Sequence, residues 1–322
     1  MDFSNKLPIG GVDYPRTLQE FDDWFSSETK CLEFIKRIRW KNGFKCQVCS
    51  NTKGWKLTTG LIRCKNCRID ISTLHGTLFH KTRKPLRVWF QAMWYVTSQK
   101  FGGSALGLKR ILGLGSYQTA WTWLHKMRHA MVRPNREMLD GIVEIDETLI
   151  GGESHGGKRV RGADNKHIVI IAVEIKEPKG FGRARMKQID SAAASSLLPF
   201  IIDNVAKGSE IRTDCWRGYS EVEKNGYIHK KVNLSESGDP AHVSMPGVHR
   251  IAALLKRWLL GTHQGSVSSK HLDYFLDEYT FIFNRRNSKA RGMLFYRLIQ
   301  QAVQIQAVTY DELAMDRTDQ DL

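Results

Sequence analysis

The sequence predicts an α+β multidomain protein in which small N-terminal modules precede a larger α/β domain. Three observations predict this class: two closely spaced Cys-x-x-Cys pairs, helical hydrophobic periodicity up to about residue 134, and strand-like alternation beyond it. A composition shift after Pro134-Asn-Arg136 marks the main boundary. The predicted domains are an N-terminal helical cap (1–41), a zinc ribbon (42–80), a helix-turn-helix region (81–134), the α/β domain (135–308) and an acidic tail (309–322).

The four cysteines of the two pairs predict a structural zinc site. A two-residue gap lets both sulfurs of a pair face one ion, and two pairs complete the tetrahedral thiolate shell that Zn²⁺ prefers. The alternative is two disulfides, which is disfavoured because nothing at the N-terminus resembles a signal peptide. The predicted ligands are Cys46, Cys49, Cys64 and Cys67, and basic residues surround them.

The charge balance indicates a polyanionic partner. Lys and Arg number 49 against 33 Asp and Glu, which gives a formal net charge of +16. Such an excess favours nucleic acid, although a basic chain can also be a soluble protein with a solvated positive face. No apolar run approaches the length of a membrane span, so we expect a soluble, cytoplasmic protein.

The helical region before residue 134 carries two start signals and a glycine turn. Thr17-Leu-Gln-Glu20 predicts a capping box, a second helix is expected from Thr29 to Arg39, and Pro85 suits the first turn of another. Gly113-Leu-Gly115 separates two further helices as in a helix-turn-helix, whose second helix enters the DNA major groove. In that helix Trp121 and Trp123 are expected to be core residues. The predicted DNA-binding residues are Tyr117, Gln118, Thr119 and Lys126.

The α/β domain contains the candidate catalytic carboxylates. Asp146 and Glu147 lie in the middle of an alternating strand, on opposite faces, and Asp214 ends a later one. Three strands, a helix over 191–206 and a strand over 210–214 follow the order of a ribonuclease-H-like core, where the first and fourth strands are neighbours. Asp146 and Asp214 would then form the paired carboxylates of a magnesium-dependent phosphoryl-transfer site. The alternative is a strand-edge charge and a turn residue.

Four segments carry a resemblance to a known family. They are 143–152 (VEIDETLIGG), 212–219 (RTDCWRGY), 254–263 (LLKRWLLGTH) and 274–286 (YFLDEYTFIFNRR). Together they resemble the zinc-ribbon insertion-sequence transposases of the ISXO class, from about Phe44 to Val303. The resemblance implies a ribonuclease-H-like, DDE-type catalytic domain, Mg²⁺ dependence, and cleavage and joining of DNA ends. It puts Asp146 and Asp214 in the places of the first two metal-binding carboxylates, and Lys256 in that of a basic residue near the third.

The third acid of the resemblance is missing. Family members that keep a glutamate have it seven residues before the lysine, where this chain has His249, and nothing acidic lies between Asp239 and Asp273. Seven residues are about two helical turns, so His249 and Lys256 would share one helix face. His249 could bind a metal, with Mn²⁺ better tolerated than Mg²⁺, act as general base, or have no chemical role. The fallback carboxylates are Asp239 and Glu236.

These features predict a transposase that binds double-stranded DNA. The N-terminal modules would bind the terminal inverted repeats of the element, and the core would cut them and join them to target DNA in an assembly of at least two copies. Arg285 and Arg286, after an aromatic-rich helix, are predicted phosphate contacts. The alternatives are a catalytically inactive, domesticated DNA-binding regulator and a structure-specific nuclease.

Overall fold

The computed structural model divides the chain into two compact units. It describes residues 7–133, 135–151, 166–178, 180–233, 244–263 and 267–314. One unit contains residues 7–133 together with 287–314, and the other contains the described residues between 135 and 286. The sequence placed the end of the α/β domain at residue 308, whereas the structure divides the chain after Arg286.

The N-terminal unit is mainly helical. Thr17 accepts a hydrogen bond from the Glu20 amide, and Ser27 caps the next helix through the Lys30 amide. Both predicted helices are therefore present. The helices of this unit are α1 (Leu18–Trp24), α2 (Glu28–Arg39), α3 (Leu86–Ser98), α4 (Ala105–Leu112), α5 (Tyr117–Ala130), α9 (Arg291–Ala302) and α10 (Tyr310–Ala314).

An aromatic cluster forms the core of this unit. The Phe295 ring of α9 lies 5.4 Å from Phe21, 5.6 Å from Phe90 and 5.6 Å from Trp94, measured between ring centroids. Phe295 is fully buried. Helix α9 follows the second unit in sequence, but its apolar face completes the core of the N-terminal unit. This packing explains why the boundary lies earlier than the sequence predicted.

The predicted helix-turn-helix corresponds to α4 and α5. Gly113 ends α4 in the left-handed region, with φ of 60°, and Ser116 caps α5 by accepting from the Thr119 amide. Trp123 stacks on Trp89 with 3.8 Å between ring centroids, and both are buried. The expectation that Trp123 is a core residue is confirmed.

The second unit is built on a five-stranded mixed sheet. The strands are β4 (Ile142–Ile150), β5 (His167–Ile175), β6 (Phe181–Ile189), β7 (Glu210–Thr213) and β8 (Ile228–Lys231). Their spatial order is β6-β5-β4-β7-β8, with β5 antiparallel to both neighbours and β7 parallel to β4 and to β8. The predicted neighbourhood of the first and fourth strands is therefore observed.

Helices cover both faces of this sheet. Helix α6 (Ala194–Asn204) packs on one face, against residues such as Val143 and Ile145. Helices α7 (Pro246–His263) and α8 (Ser269–Phe283) pack on the other, against the alternate residues of β5. Because both faces are buried, β5 is almost continuously apolar. Within the described parts of the chain, no helix is long and apolar enough to cross a membrane.

Candidate metal centres and active site

The four cysteines meet at one point in a small antiparallel sheet. Strands β1 (Gly54–Lys56), β2 (Ile62–Cys64) and β3 (Asp70–Ile71) form this sheet in sequence order. The Arg63 guanidinium donates to both carboxylate oxygens of Asp70, at 2.6 and 2.7 Å, and so links β2 to β3. One Cys-x-x-Cys pair precedes β1, and the other spans the turn between β2 and β3.

The cysteine geometry fits zinc and excludes disulfides. The sulfurs of Cys46 and Cys67 lie 3.6 Å apart and those of Cys49 and Cys64 lie 3.5 Å apart, and all four lie within 4.8 Å of one another. A disulfide needs about 2.05 Å. Tetrahedral Zn²⁺ with bonds of about 2.3 Å gives sulfur separations of about 3.8 Å. A hydrogen bond from the Asn51 amide is the largest cause that lowers the pKa of Cys49, to about 6. The Ile69 amide also lowers the pKa of Cys67, but burial and the neighbouring thiols raise it overall, to about 12.

Asp146 and Asp214 lie at the same edge of the larger sheet. The parallel pair β4–β7 ends with Glu144 opposite Arg212, and Asp146 and Asp214 each follow two residues further along the chain. Asp214 directly follows β7. The carboxyl ends of parallel strands share an edge, which is where open α/β sheets commonly place ligand sites. The sequence-predicted carboxylates are therefore brought together by strand pairing.

Burial and a neighbouring carboxylate both disfavour the charged form of Asp146 at this edge of the sheet. Burial is the main cause that raises the pKa of Asp146, and the charge of Asp214 raises it further. The Glu147 amide, which donates to Asp146 Oδ1 at 2.8 Å, and the neighbouring His249 oppose that rise. A buried carboxylate beside a second carboxylate is stabilised by a cation that both contact, so the pair fits a divalent metal.

His249 lies beside Asp146 on the first turns of α7. Its Nδ1 is 3.9 Å from Asp146 Oδ2, and its buried Nε2 has no hydrogen-bond partner among the described residues. Lys256 is exposed two turns further along the same helix. In the described parts of the chain, the cysteines are the one set of three or more possible ligands gathered within 4.8 Å. The fallback carboxylates, Asp239 and Glu236, lie outside the described residues.

Glu144 is a buried carboxyl that the sequence analysis did not single out. Its side chain is 1% exposed, and its Oε2 accepts from the Val248 amide at 2.9 Å. Burial raises the pKa of Glu144, while the amides of Val248 and Gly247 oppose that rise. Glu144 therefore ties the first turn of α7, which carries His249, to the strand that carries Asp146. Its two-residue spacing from Asp146 was the available signal, because alternate strand residues share a face.

Glu147 faces the opposite side of β4, as alternation predicted. It accepts a hydrogen bond from the hydroxyl of Tyr219, which is buried in the core beneath α6. Burial is the main cause that raises the pKa of Glu147 to about 7, and the charges of Asp146 and Asp214 add to the rise. Burial also raises the pKa of Tyr219, so its hydroxyl stays a donor.

The predicted DNA-binding residues of α5 differ in accessibility. Tyr117 and Gln118 are exposed at the start of the helix. Thr119 pairs its hydroxyl with that of the capping Ser116, 2.8 Å away, and Lys126 is half-buried, which lowers its pKa. The accessible part of the predicted surface is thus the first turn of α5.

Arg285 and Arg286 make internal contacts that the sequence did not reveal. Arg285 donates to the Phe281 carbonyl at 3.0 Å and stacks over the Phe281 ring. Arg286 donates to the carbonyls of Gly182 and Phe283 and stacks over the Phe283 ring. These bonds satisfy carbonyls at the end of α8 and link it to β6, so both residues also support the fold. Their predicted phosphate contacts stay a prediction.

Comparison with protein families identifies the class of both units. The model of a transposase zinc-ribbon domain matches residues 26–69, and that of an ISXO2-like transposase domain matches residues 138–284. The class is thus a zinc-ribbon protein with a transposase domain. The predicted resemblance to the ISXO2-like transposases is confirmed by these two matches.

One relative and one solved structure add to this comparison. A Halobacterium salinarum protein, described as an uncharacterized protein in transposable element ISH50, is 26% identical over 276 residues, covering 78% of this chain and 89% of the relative. The cryo-EM structure of the simian T-cell lymphotropic virus intasome in complex with PP2A regulatory subunit B56 gamma is similar at 16% identity, with a TM-score of 0.30. It covers 60% of this chain and 70% of that one.

Proposed function

We propose that this protein is an insertion-sequence transposase that binds element ends and catalyses metal-dependent cleavage and strand transfer. The observation that carries the proposal is the parallel pairing of β4 with β7, because Asp146 and Asp214 follow its last paired residues at one sheet edge, within the region that matches the ISXO2-like transposase domain. The strand order β6-β5-β4-β7-β8 with helices on both faces supports a ribonuclease-H-like core.

Asp146 and Asp214 would hold the catalytic metal, Mg²⁺ or Mn²⁺. A divalent cation bound there would activate the attacking oxygen and stabilise charge on the phosphate. His249, beside Asp146, supplies a nitrogen ligand or accepts a proton from the attacking hydroxyl, and Lys256 contacts the phosphate. Glu144 holds α7 against β4 and thereby keeps His249 near Asp146.

The N-terminal unit would bind the ends of the element. The zinc ribbon presents exposed lysines, including Lys45, Lys53 and Lys65, that suit phosphate contacts. Tyr117 and Gln118 are accessible at the start of α5, where a recognition helix contacts base edges. Joining both ends of an element to target DNA would require at least two copies of the chain.

The test is a cleavage and strand-transfer assay on the DNA that flanks the gene, with Mg²⁺ or Mn²⁺. We expect metal-dependent nicking at the terminal repeats, lost by at least a thousandfold in Asp146→Asn and in Asp214→Asn, because each removes a metal-binding charge. DNA binding, followed by gel shift, should change little. Asp203→Asn, at an exposed carboxylate of α6, is the matched control and should cut normally.

Two outcomes would contradict the proposal. Equal loss of cutting and DNA binding in Asp146→Asn would show that Asp146 supports the fold instead of the metal. Tight binding by the parent protein without cleavage in either metal would identify a DNA-binding regulator that has lost its chemistry.

A further inference from the structure

An exposed tryptophan lies next to the acidic pair. Trp216 is two residues after Asp214 and is 46% exposed. Its backbone amide donates to Asp214 Oδ1 at 3.0 Å, so the residue that carries the ring also contacts a candidate metal ligand. The short 3₁₀ helix Arg217–Tyr219 follows directly.

The ring is held in one orientation despite its exposure. The indole Nε1 donates to the carbonyl oxygen of Ala192 at 2.6 Å. Ala192 follows β6, which runs in the same direction as β4 because both pair antiparallel with β5. The hydrogen bond therefore joins two loops at the carboxyl edge of the sheet, and it satisfies the one polar atom of the indole.

The surrounding turn is built around this contact. A Cβ on Gly218 would lie 2.5 Å from the Ala192 carbonyl oxygen and 2.7 Å from Trp216 Nε1, so only glycine allows the approach. One residue further on, the buried Tyr219 anchors the turn by donating to Glu147. The turn is thus fixed on both sides of Trp216, which reduces the entropy that a binding partner would have to remove.

We propose that Trp216 is a stacking platform for a DNA base next to the scissile phosphate. A flat indole with its N–H already satisfied offers its ring face rather than a hydrogen bond, and any base can stack on such a face. Arg217, exposed and adjacent, supplies positive charge for the neighbouring phosphate. Because bases inside a duplex stack on each other, the base concerned is one that leaves the stack at the cleavage site. This inference rests on the proposed transposase function.

The experiment combines protein variants with abasic DNA. Element-end duplexes would carry a single abasic site at each position flanking the cleavage point in turn. Binding would be measured with Trp216→Ala and with unchanged Trp216, both in the Asp146→Asn background, so that the result does not depend on chemistry. We expect Trp216→Ala to weaken binding to intact ends about tenfold and Trp216→Phe to retain most of the affinity.

The decisive readout is the coupling between base and ring. At one position, removing the base should weaken DNA binding about tenfold when Trp216 is present and should hardly change the affinity of Trp216→Ala. The control Leu260→Ala, at an apolar residue of α7 that is 64% exposed, should show the same base dependence as the protein with Trp216. Equal abasic penalties with and without Trp216 at every position would overturn the proposal, even if Trp216→Ala melts at a lower temperature. Loss of cutting in Asp146→Asn tests the transposase function separately.

Discussion

Three carboxyl groups within four residues of β4 have different surroundings. Glu144 and Asp146 face α7, where Glu144 accepts from the Val248 amide and Asp146 meets His249. Glu147 faces α6 and accepts from the buried Tyr219 hydroxyl. Burial raises the pKa of all three, but only the pKa of Asp146 is affected by both His249 of α7 and Asp214, which follows β7. Position on the pleat therefore separates one candidate ligand from two supporting residues.

The raised pKa of Glu147 makes the stability of the sheet unit depend on pH. Glu147 has a pKa of about 7 in the folded protein instead of 4.5, so its contribution to the free energy of unfolding is fully present below pH 4.5 and is lost as the pH rises through about 7. At about 1.4 kcal/mol for each tenfold change in proton affinity, the loss is about 3 kcal/mol. Glu147→Gln should remove this part of the pH dependence. Urea unfolding from pH 5 to pH 8, without added divalent metal, measures it, and an unchanged profile in Glu147→Gln would refute the assignment.

At the scale of elements, the position of α7 depends on one glycine. A Cβ on Gly247 would lie 2.5 Å from Ile175 Cδ1 and 2.9 Å from Glu144 Oε2. Gly247→Ala should therefore push α7 away from β4, lower the melting temperature and reduce cleavage at least tenfold by moving His249 from Asp146. Gly261→Ala is the control on the same helix, because nothing lies within 4 Å of the added carbon.

Gly261→Ala should instead raise the free energy of unfolding by about 0.5–1 kcal/mol, since alanine loses less backbone entropy than glycine when a helix forms. Thermal melts and the cleavage assay on both variants would make the comparison. Normal cleavage by a fully stable Gly247→Ala protein would show that the close approach of α7 to β4 is dispensable.

The zinc ribbon is expected to need its metal both to fold and to bind DNA. Cys64→Ser removes a buried ligand, so bound zinc, about one ion per chain in the parent, should be lost together with affinity for element ends. The exposed Cys215 lies outside the ribbon, and Cys215→Ser should keep both. Native mass spectrometry and gel shift give the two readouts. Full zinc content in Cys64→Ser would contradict the four-cysteine site.

The elements that could be predicted from sequence were those set by local pattern. The cysteine spacing gives the ribbon, and alternation around Asp146 gives β4 and its two faces. Strand β8 was not predicted, because its largely exposed, lysine-rich residues lack an apolar pattern. The spacing of Glu144 from Asp146 indicates a shared strand face, but it does not predict the hydrogen bond to the Val248 amide, which is 104 residues away. The internal hydrogen bonds of Arg286 could not be predicted, because sequence does not show which backbone carbonyls need donors.

At the scale of the whole molecule, the chain leaves one unit and returns to complete it. After the sheet unit, α9 supplies Phe295 to the aromatic core formed by α1 and α3. A Cβ on Gly292 would collide with the Pro15 carbonyl, so the packing of α9 also requires glycine at this close backbone contact. The amphipathic pattern of α9 predicted a buried face but could not say which core would receive it.

This arrangement predicts which unit each core substitution will weaken. Phe295→Ala should lower the free energy of unfolding by about 3–5 kcal/mol, because it removes a fully buried ring and leaves a cavity. Hydrogen exchange followed by mass spectrometry should then show faster exchange in α1 and α3, with β4 and β5 unchanged. Leu276→Ala, in the core that α8 forms with the sheet, is the reciprocal control. It should speed hydrogen exchange in β5 and β6 instead. If Phe295→Ala accelerated exchange in both units equally, the two would unfold as one, and α9 would support the whole molecule rather than the N-terminal unit.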